Sequence, residues 1–341
     1  MPVALTWRFM ATDVALDVGT ATTRMSVAQK GLVFSEPTVV AVDTRTGKVV
    51  AVGESAHRAV IESPVHAVVF RPLAKGATVD FDVAARLFRA VFDRSEFSRL
   101  GRIRAVMSVP TLATSIERRA LSQAARQAGA AEVHVMDAPI AAAIGCGLPI
   151  SEPVGSAIIS LGAGSTEVAV VSLGGIVTSR SIRIGANDLD AATTTMMRQR
   201  YGVVISLEAA AQLRENMGSA LGLTNGQSTV VPARSVSNGH PVSVEVLAKE
   251  MNAAFQDPLS LMMRTISECL GESPPDLAQD VLVHGVTVVG GFSKFADMAS
   301  MISTSTGLMV NAAPQPEFAV IRGLEMCIAD LPKMRTYFRS E

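Results

Sequence analysis

Cysteine, aromatic residues, net charge and long apolar runs are all scarce in this chain of 341 residues. Its three cysteines, Cys146, Cys269 and Cys327, lie far apart and form no CxxC pair, which argues against a zinc site or a disulfide framework. A reducing cytoplasm is the expected setting. Aromatics make up 4% with a single Trp, and the formal net charge is -1, so there is neither the stacking surface nor the electrostatic field for a nucleic-acid partner. No stretch reaches the roughly 20 uninterrupted apolar residues of a membrane-spanning helix. Five histidines, His57, His66, His134, His240 and His284, share no spacing and offer no catalytic or metal motif.

What is present is apolar residue in quantity, 48% hydrophobic with a mean hydropathy of +0.33. This fills the cores of two domains of ordinary size and leaves apolar surface for subunit contacts. The N-terminal run Met1 to Met10 has no small-residue cleavage site and so is no signal peptide. Its Leu5, Trp7, Phe9 and Met10 are types that settle at a membrane surface, the alternative being a loose apolar chain end.

Periodicity gives an α/β order. Asp13 to Val27 reads as a β-hairpin around a Gly-Thr turn, followed by strand-rich segments at 32–42 and 48–53. Helical spacing starts at Asp82, and a buried strand from Ile103 to Val109 stops at Pro110. Thr114 with Glu117 marks a capped amphipathic helix closed by Gly129, whose Arg118 and Arg119 fall on the solvated face. A strand at 132–136 then precedes the small-residue helix Pro139 to Gly145. Gly222 to Asn238 reads as a surface loop. The sixteen methionines, including the pairs Met196-Met197 and Met262-Met263, read as core filling, and the basic, aromatic tail Lys333 to Arg339 as a membrane or partner contact or a frayed end.

AIISLGAGSTEVAVVSL, from Ala157, repeats VALDVGTATTRMSV. Placing Asp17 on Ser160 puts Gly19 on Gly162, Thr22 on Ser165 and Thr23 on Thr166 at a constant offset of 143. A repeat that long is a domain duplication, since solenoid units run only about 20–50 residues. Each hairpin turn joins Gly to Ser or Thr, the composition that lets backbone N–H groups and hydroxyls approach phosphate oxygens. A third Gly turn, Val286 to Ser293, offers Gly290 and Gly291 against the flat side of a nucleoside.

These segments, with RPLAKGATVDF, SVPTLATSIERRAL, APIAAAIGCGLPISEPVGS, SIRIGANDLDAA, FQDPL and VVGGFSKF, resemble in order and spacing the bacterial actins of the MreB type from about Asp13 to Ala329. The resemblance implies an α/β, actin-like ATPase fold: two duplicated RNase H-like domains around a central nucleotide cleft. The first would cover 11–155, with 315–341 packing back onto it, and the second 156–314. It implies ATP or ADP with Mg²⁺ as ligand, and filaments of self-associated protomers at the inner face of the cell membrane, where they meet membrane-associated cell-shape and wall-synthesis proteins. By matching positions, Asp17, Gly19, Thr20, Thr22 and Thr23 form a first phosphate loop, with Asp17 reaching the metal through water. Gly162, Gly164, Ser165 and Thr166 form a second. Gly290, Gly291 and Phe292 border the adenosine, and Arg214 stands where the family has a Lys.

The departures bear on catalysis. Ser160 replaces the Asp that opens the family's second loop, and Ala138-Pro139 replaces the Glu-Pro step that positions the attacking water. Thr22 stands for an Asn, and Ala211 for a Glu that meets the ribose. Asp137, just before Ala138, is the candidate substitute for the missing base. Loss of a general base costs about 10²–10⁴-fold in rate, so the expectation is a nucleotide binder whose hydrolysis is weak or lost. The alternatives are an active ATPase of the actin, sugar-kinase and chaperone superfold, or a non-polymerising nucleotide-dependent adaptor of the wall-synthesis machinery.

Overall fold

A computed structural model of the protein describes residues 11–62, 66–74, 77–78, 80–94, 102–222 and 226–339. The N-terminal membrane-surface segment expected at Leu5 to Met10 lies outside the described residues. Those up to Ser156, Val171–Val177 and those from Phe318 onward form one compact unit, and Ala157–Val170 with Thr178–Glu317 form the other. Val171–Val177 thus clusters with unit 1, although it was expected in the second domain.

In unit 1, strands β1 (Ala11–Val18), β2 (Thr22–Val27) and β3 (Gly31–Pro37) run antiparallel in succession. A small sheet of β4 (Val40–Asp43), β5 (Val49–Val52) and β6 (Ala67–Phe70), the helix α1 (Glu54–Glu62) and the short pair β7 (Leu73–Ala74) and β8 (Ala77–Thr78) follow. Then come α2 (Phe81–Asp93), β9 (Arg102–Val109), α3 (Ser115–Gln127), β10 (Ala130–Asp137) and α4 (Ala138–Gly145). Parallel pairing of β9 with β1 and of β10 with β9 completes the sheet order β3-β2-β1-β9-β10. Val14, Ala15 and Leu16 are all buried, so β1 is covered on both faces. Leu87, Phe88, Val91 and Phe92 of α2 share the core with the sheet. At α3 the capping box forms as the sequence specifies: the Glu117 amide donates to the Thr114 hydroxyl at 3.2 Å, and the Thr114 amide to the Glu117 carboxylate at 2.8 Å.

Unit 2 repeats the plan. Strands β11 (Ser156–Leu161), β12 (Thr166–Ser172) and β13 (Gly175–Ile182) lead to α5 (Ala186–Tyr201), β14 (Val203–Val204), α6 (Leu207–Met217), β15 (Ser228–Ser235), β16 (Pro241–Leu247), α7 (Ala248–Gly271) and α8 (Pro275–His284). After β17 (Val286–Val289) come α9 (Met298–Thr306) and β18 (Val310–Ala312), giving the sheet order β13-β12-β11-β17-β18. That order matches unit 1 strand for strand. Ile159, Leu161, Val168 and Val170 meet Phe255, Met262 and Ile266 of α7 in one core. Met197, Met262 and Met263 are buried there, which is core filling.

The stretch 222–238 is not the surface loop its Gly, Ser and Asn content suggested. Its middle forms β15, paired antiparallel with β16, and Val231 is buried at the centre. The polar residues sit at the ends of the strand and on its exposed side, so composition outweighed a weak period of two.

The chain ends in unit 1 with α10 (Ala319–Ala329) and α11 (Leu331–Met334). Helix α10 lies against β1, β2, β9 and α4. Its approach to α4 is backbone on backbone: a Cβ on Gly323 would stand 1.7 Å from the Ala141 carbonyl oxygen, and one on Gly145 1.9 Å from that of Ala319. Up to Arg339, the tail after α11 is held against unit 1. The Arg339 amide donates to the Val135 carbonyl at 2.9 Å, extending the edge of β10, and Phe338 stacks on His134 with ring centroids 5.0 Å apart.

Candidate nucleotide site

The two hairpin turns have the same internal bond. Gly19 donates its amide to the Thr22 carbonyl at 3.0 Å, and Gly162 donates to that of Ser165 at 2.9 Å. A Cβ on Gly19 would lie 2.9 Å from the Thr22 oxygen and force a shift, and one on Gly162 would sit tightly, 3.2 Å from the Ser165 oxygen. Gly290 has φ +90, and a Cβ there would stand 2.2 Å from the Leu161 carbonyl oxygen, so the third Gly turn is pressed onto the start of the second hairpin's turn. In unit 2, then, the Gly162–Ser165 turn and Gly290 both lie beside Leu161, at the end of β11. Gly291 follows as an exposed residue.

Several other assignments divide differently. Thr23 is fully buried, its hydroxyl 2.9 Å from that of Thr38, which in turn donates to the Gly19 carbonyl at 2.7 Å. Thr166, its counterpart, is also buried and donates to the Ile184 carbonyl at 2.9 Å. Both hydroxyls brace their loops from within, Thr23 through Thr38 and Thr166 through the Ile184 carbonyl. Phe292 is likewise buried, stacked on Phe295 at 5.3 Å. Its ring is the floor under the Arg214 guanidinium, 5.8 Å away, and offers no open face for a base.

Arg214 on α6 donates its Nε to Asp190 Oδ1 on α5 at 2.7 Å, an ion pair with both side chains about nine-tenths buried. Burial pushes the Asp190 carboxyl above its ordinary range, and the Arg214 bond pulls it only part of the way back. The folded state therefore holds that proton more tightly than the unfolded chain does. The resulting destabilisation is absent below the ordinary carboxylate pKa of 3.8 and complete above the raised value. Asp190→Asn removes the titration, so the stability of wild type relative to this variant is expected to fall as pH rises from about 4 to 7. Chemical denaturation of both proteins across that range checks the sign, and a rise contradicts it.

In unit 1, Asp17 faces Arg24 across the β1–β2 register, with Asp17 Oδ2 3.7 Å from Arg24 Nη1. Ser108 on β9 donates its hydroxyl to Asp17 Oδ1 at 2.9 Å. Burial pushes the Asp17 carboxyl up, with Arg24 and then Ser108 opposing. Thr20 is buried at the turn and Thr22 half-buried. Arg24, Ser108, Thr38 and Asp190 were all missed by motif reading. A strict two-residue register across the first hairpin was the one signal that places Arg24 opposite Asp17.

Asp137 is committed elsewhere. Arg339 binds its Oδ2 through Nε at 2.7 Å and Nη2 at 2.6 Å, and the Asp137 side chain is 4% exposed. The C-terminal tail thus holds the carboxylate that stood as substitute base. Ala138 begins α4 as a half-buried residue beside buried neighbours, and Ser160 is half-buried on β11.

Residues 11–336 match the family described as MreB/Mbl protein. The chain belongs to the MreB/Mbl family. It is 34% identical over 317 residues to the cell shape-determining protein MreB of Escherichia coli (strain K12), covering 91% of each chain. Against the cell shape-determining protein Mbl of Bacillus subtilis (strain 168) identity is 29% over 325 residues, covering 95% of this chain and 98% of that one. The crystal structure of MreB5 of Spiroplasma citri bound to ADP superposes with a TM-score of 0.86 at 27% identity, over 96% and 97% of the two chains. The fold is the actin-like one of these MreB proteins, and the duplicated five-stranded sheets are its two halves. Among the described residues no helix is long and apolar enough to cross a membrane.

Proposed function

We propose that this MreB/Mbl protein binds an adenine nucleotide, with its glycine turns as the phosphate-binding elements, and hydrolyses it poorly or not at all. The observation that carries the reading is the pairing of two intact turns, at Gly19 and Gly162, with loss of the polar groups that phosphoryl transfer needs. The tight turns at Gly19 and Gly162, each closed by an amide-to-carbonyl bond and flanked by Ser or Thr, are of the kind whose backbone N–H groups and hydroxyls suit an anion. MreB5, which is bound to ADP, supports the ligand class. A resident divalent ion fits less well: Asp17 is the one carboxylate left of the expected pair, and it already faces Ser108 and Arg24.

The family points to protomers that self-associate head to tail into open filaments, working with membrane-associated proteins of cell shape and wall synthesis. The corresponding location is cytoplasmic and peripheral at the inner face of the cell membrane. No role for nucleic acid follows from the composition.

Phosphate release and sedimentation, measured together on purified protein with ATP and Mg²⁺, test the reading. Nucleotide-dependent pelleting without turnover is expected. Turnover at the pace of an intact bacterial actin, abolished by Asp137→Ala, would overturn the loss of hydrolysis, and a soluble, nucleotide-bound monomer would overturn the filament.

A further inference from the structure

The first hairpin carries a largely enclosed cation, Arg24, that the loop motif does not call for. Arg24 stands opposite Asp17 in the strand register, so both side chains rise from the same face of the sheet. Its guanidinium lies 4.9 Å over the Phe318 ring, and its side chain is only 14% exposed. Nε is buried without a hydrogen-bond partner. At the equivalent position of the second hairpin, at the same offset of 143, the residue is the buried acid Glu167. An arginine enclosed with an unused donor is held for its charge, because a neutral side chain of that length would fill the space without the desolvation cost.

The same carboxylate is where a hydrated divalent ion would have to sit. Asp17 Oδ1 is taken by Ser108, Oδ2 faces Arg24, and the second acid of the expected pair is Ser160. A metal at that point meets a fixed positive charge 3.7 Å from its one carboxylate. The donor set and the metal do not fit each other.

We infer that Arg24 is the resident cation of the phosphate site, and that the protein takes its adenine nucleotide as the free polyphosphate anion, without a divalent metal. A guanidinium suits that role, since it stays charged at every physiological pH and its planar fork of donors matches phosphate oxygens. Asp17 then serves to orient Arg24 through the 3.7 Å contact, and Ser108 to orient Asp17. The inference rests on the nucleotide-binding reading above and adds to it the identity of the counter-charge.

Calorimetric titration of the full-length protein with ADP, once in excess EDTA and once in excess Mg²⁺, tests it. ADP is expected to bind in EDTA and to bind more weakly in excess Mg²⁺, which draws the nucleotide into its metal complex and leaves less of the free anion. Arg24→Leu is expected to weaken binding in EDTA by about ten- to a hundredfold, the loss typical of a charge-assisted hydrogen bond, with Arg24→Lys recovering part of it. Thermal unfolding without nucleotide shows whether each variant is folded, and if Arg24→Leu is not, the wild-type pair of titrations and Arg24→Lys still decide. Binding that needs Mg²⁺, or an EDTA affinity indifferent to Arg24→Leu in a folded variant, overturns the inference. Folded wild type that binds ADP in neither solution overturns the nucleotide reading itself, and the inference falls with it.

Discussion

Alanine at Gly323 is expected to destabilise the protein more than any comparable change of one methyl group. The added carbon would lie 1.7 Å from the Ala141 carbonyl oxygen and 3.0 Å from the Gly145 amide nitrogen, both backbone atoms of α4. Neither can rotate away as a side-chain tip would, so α10 and α4 must separate. Overpacking of this kind costs about 1–3 kcal/mol and more where backbone has to move. For a unit of this size, that corresponds to a fall in Tm of about 2–4 °C per kcal/mol. Gly271→Ala is the control, since its Cβ meets nothing within 4 Å. Calorimetry should show a fall of several degrees for Gly323→Ala and little change for Gly271→Ala. Equal Tm values for the two variants would mean that the helices are not in backbone contact.

Helix α4 starts at Ala138, where the resemblance to MreB-type actins implies a water-orienting glutamate. Restoring both lost acids, Ala138→Glu with Ser160→Asp, is expected to raise phosphate release from ATP by about 10²-fold or more, the lower end of what a general base contributes. The substitutions are structurally mild. Ala138 and Ser160 are each half-buried, so a longer side chain has an outlet to solvent. An acid in the first turn of α4 is also favoured by the helix dipole. The second carboxylate gives a hydrated metal a partner that Asp17 alone does not provide, and the gained turnover is therefore expected to require Mg²⁺. Single variants are expected to gain far less, because orienting water and bridging phosphates are separate requirements. A double variant that folds, binds ATP and still fails to release phosphate would show that these two positions are not what limits hydrolysis.

Much of this was legible in the residues. A repeat with constant offset, glycine at each turn and hydroxyls beside it survive as a one-dimensional pattern, because a tight hairpin depends on neighbours in sequence. The capping box at Thr114 and Glu117 was legible for the same reason. Pairings between distant residues were not. Nothing adjacent to Asp137 predicts Arg339, 202 residues later. Nothing in the small residues of α4 named Gly323 in α10 as the partner they pack against. Thr23, Thr166 and Phe292 matched the motif while pointing inward, since a motif records residue type and not side-chain direction. At 222–238 polar composition masked a strand whose trace in the sequence was one buried valine and its alternation.

The fate of ATP left on the protein separates a binder from an ATPase. After incubation with ATP and removal of the unbound fraction, the nucleotide is released by denaturation and identified by chromatography. Intact ATP in near-stoichiometric amount is expected after hours. Recovery of ADP with an equal amount of phosphate, or of no nucleotide at all, would contradict a site that grips its ligand but has lost the means to cleave it.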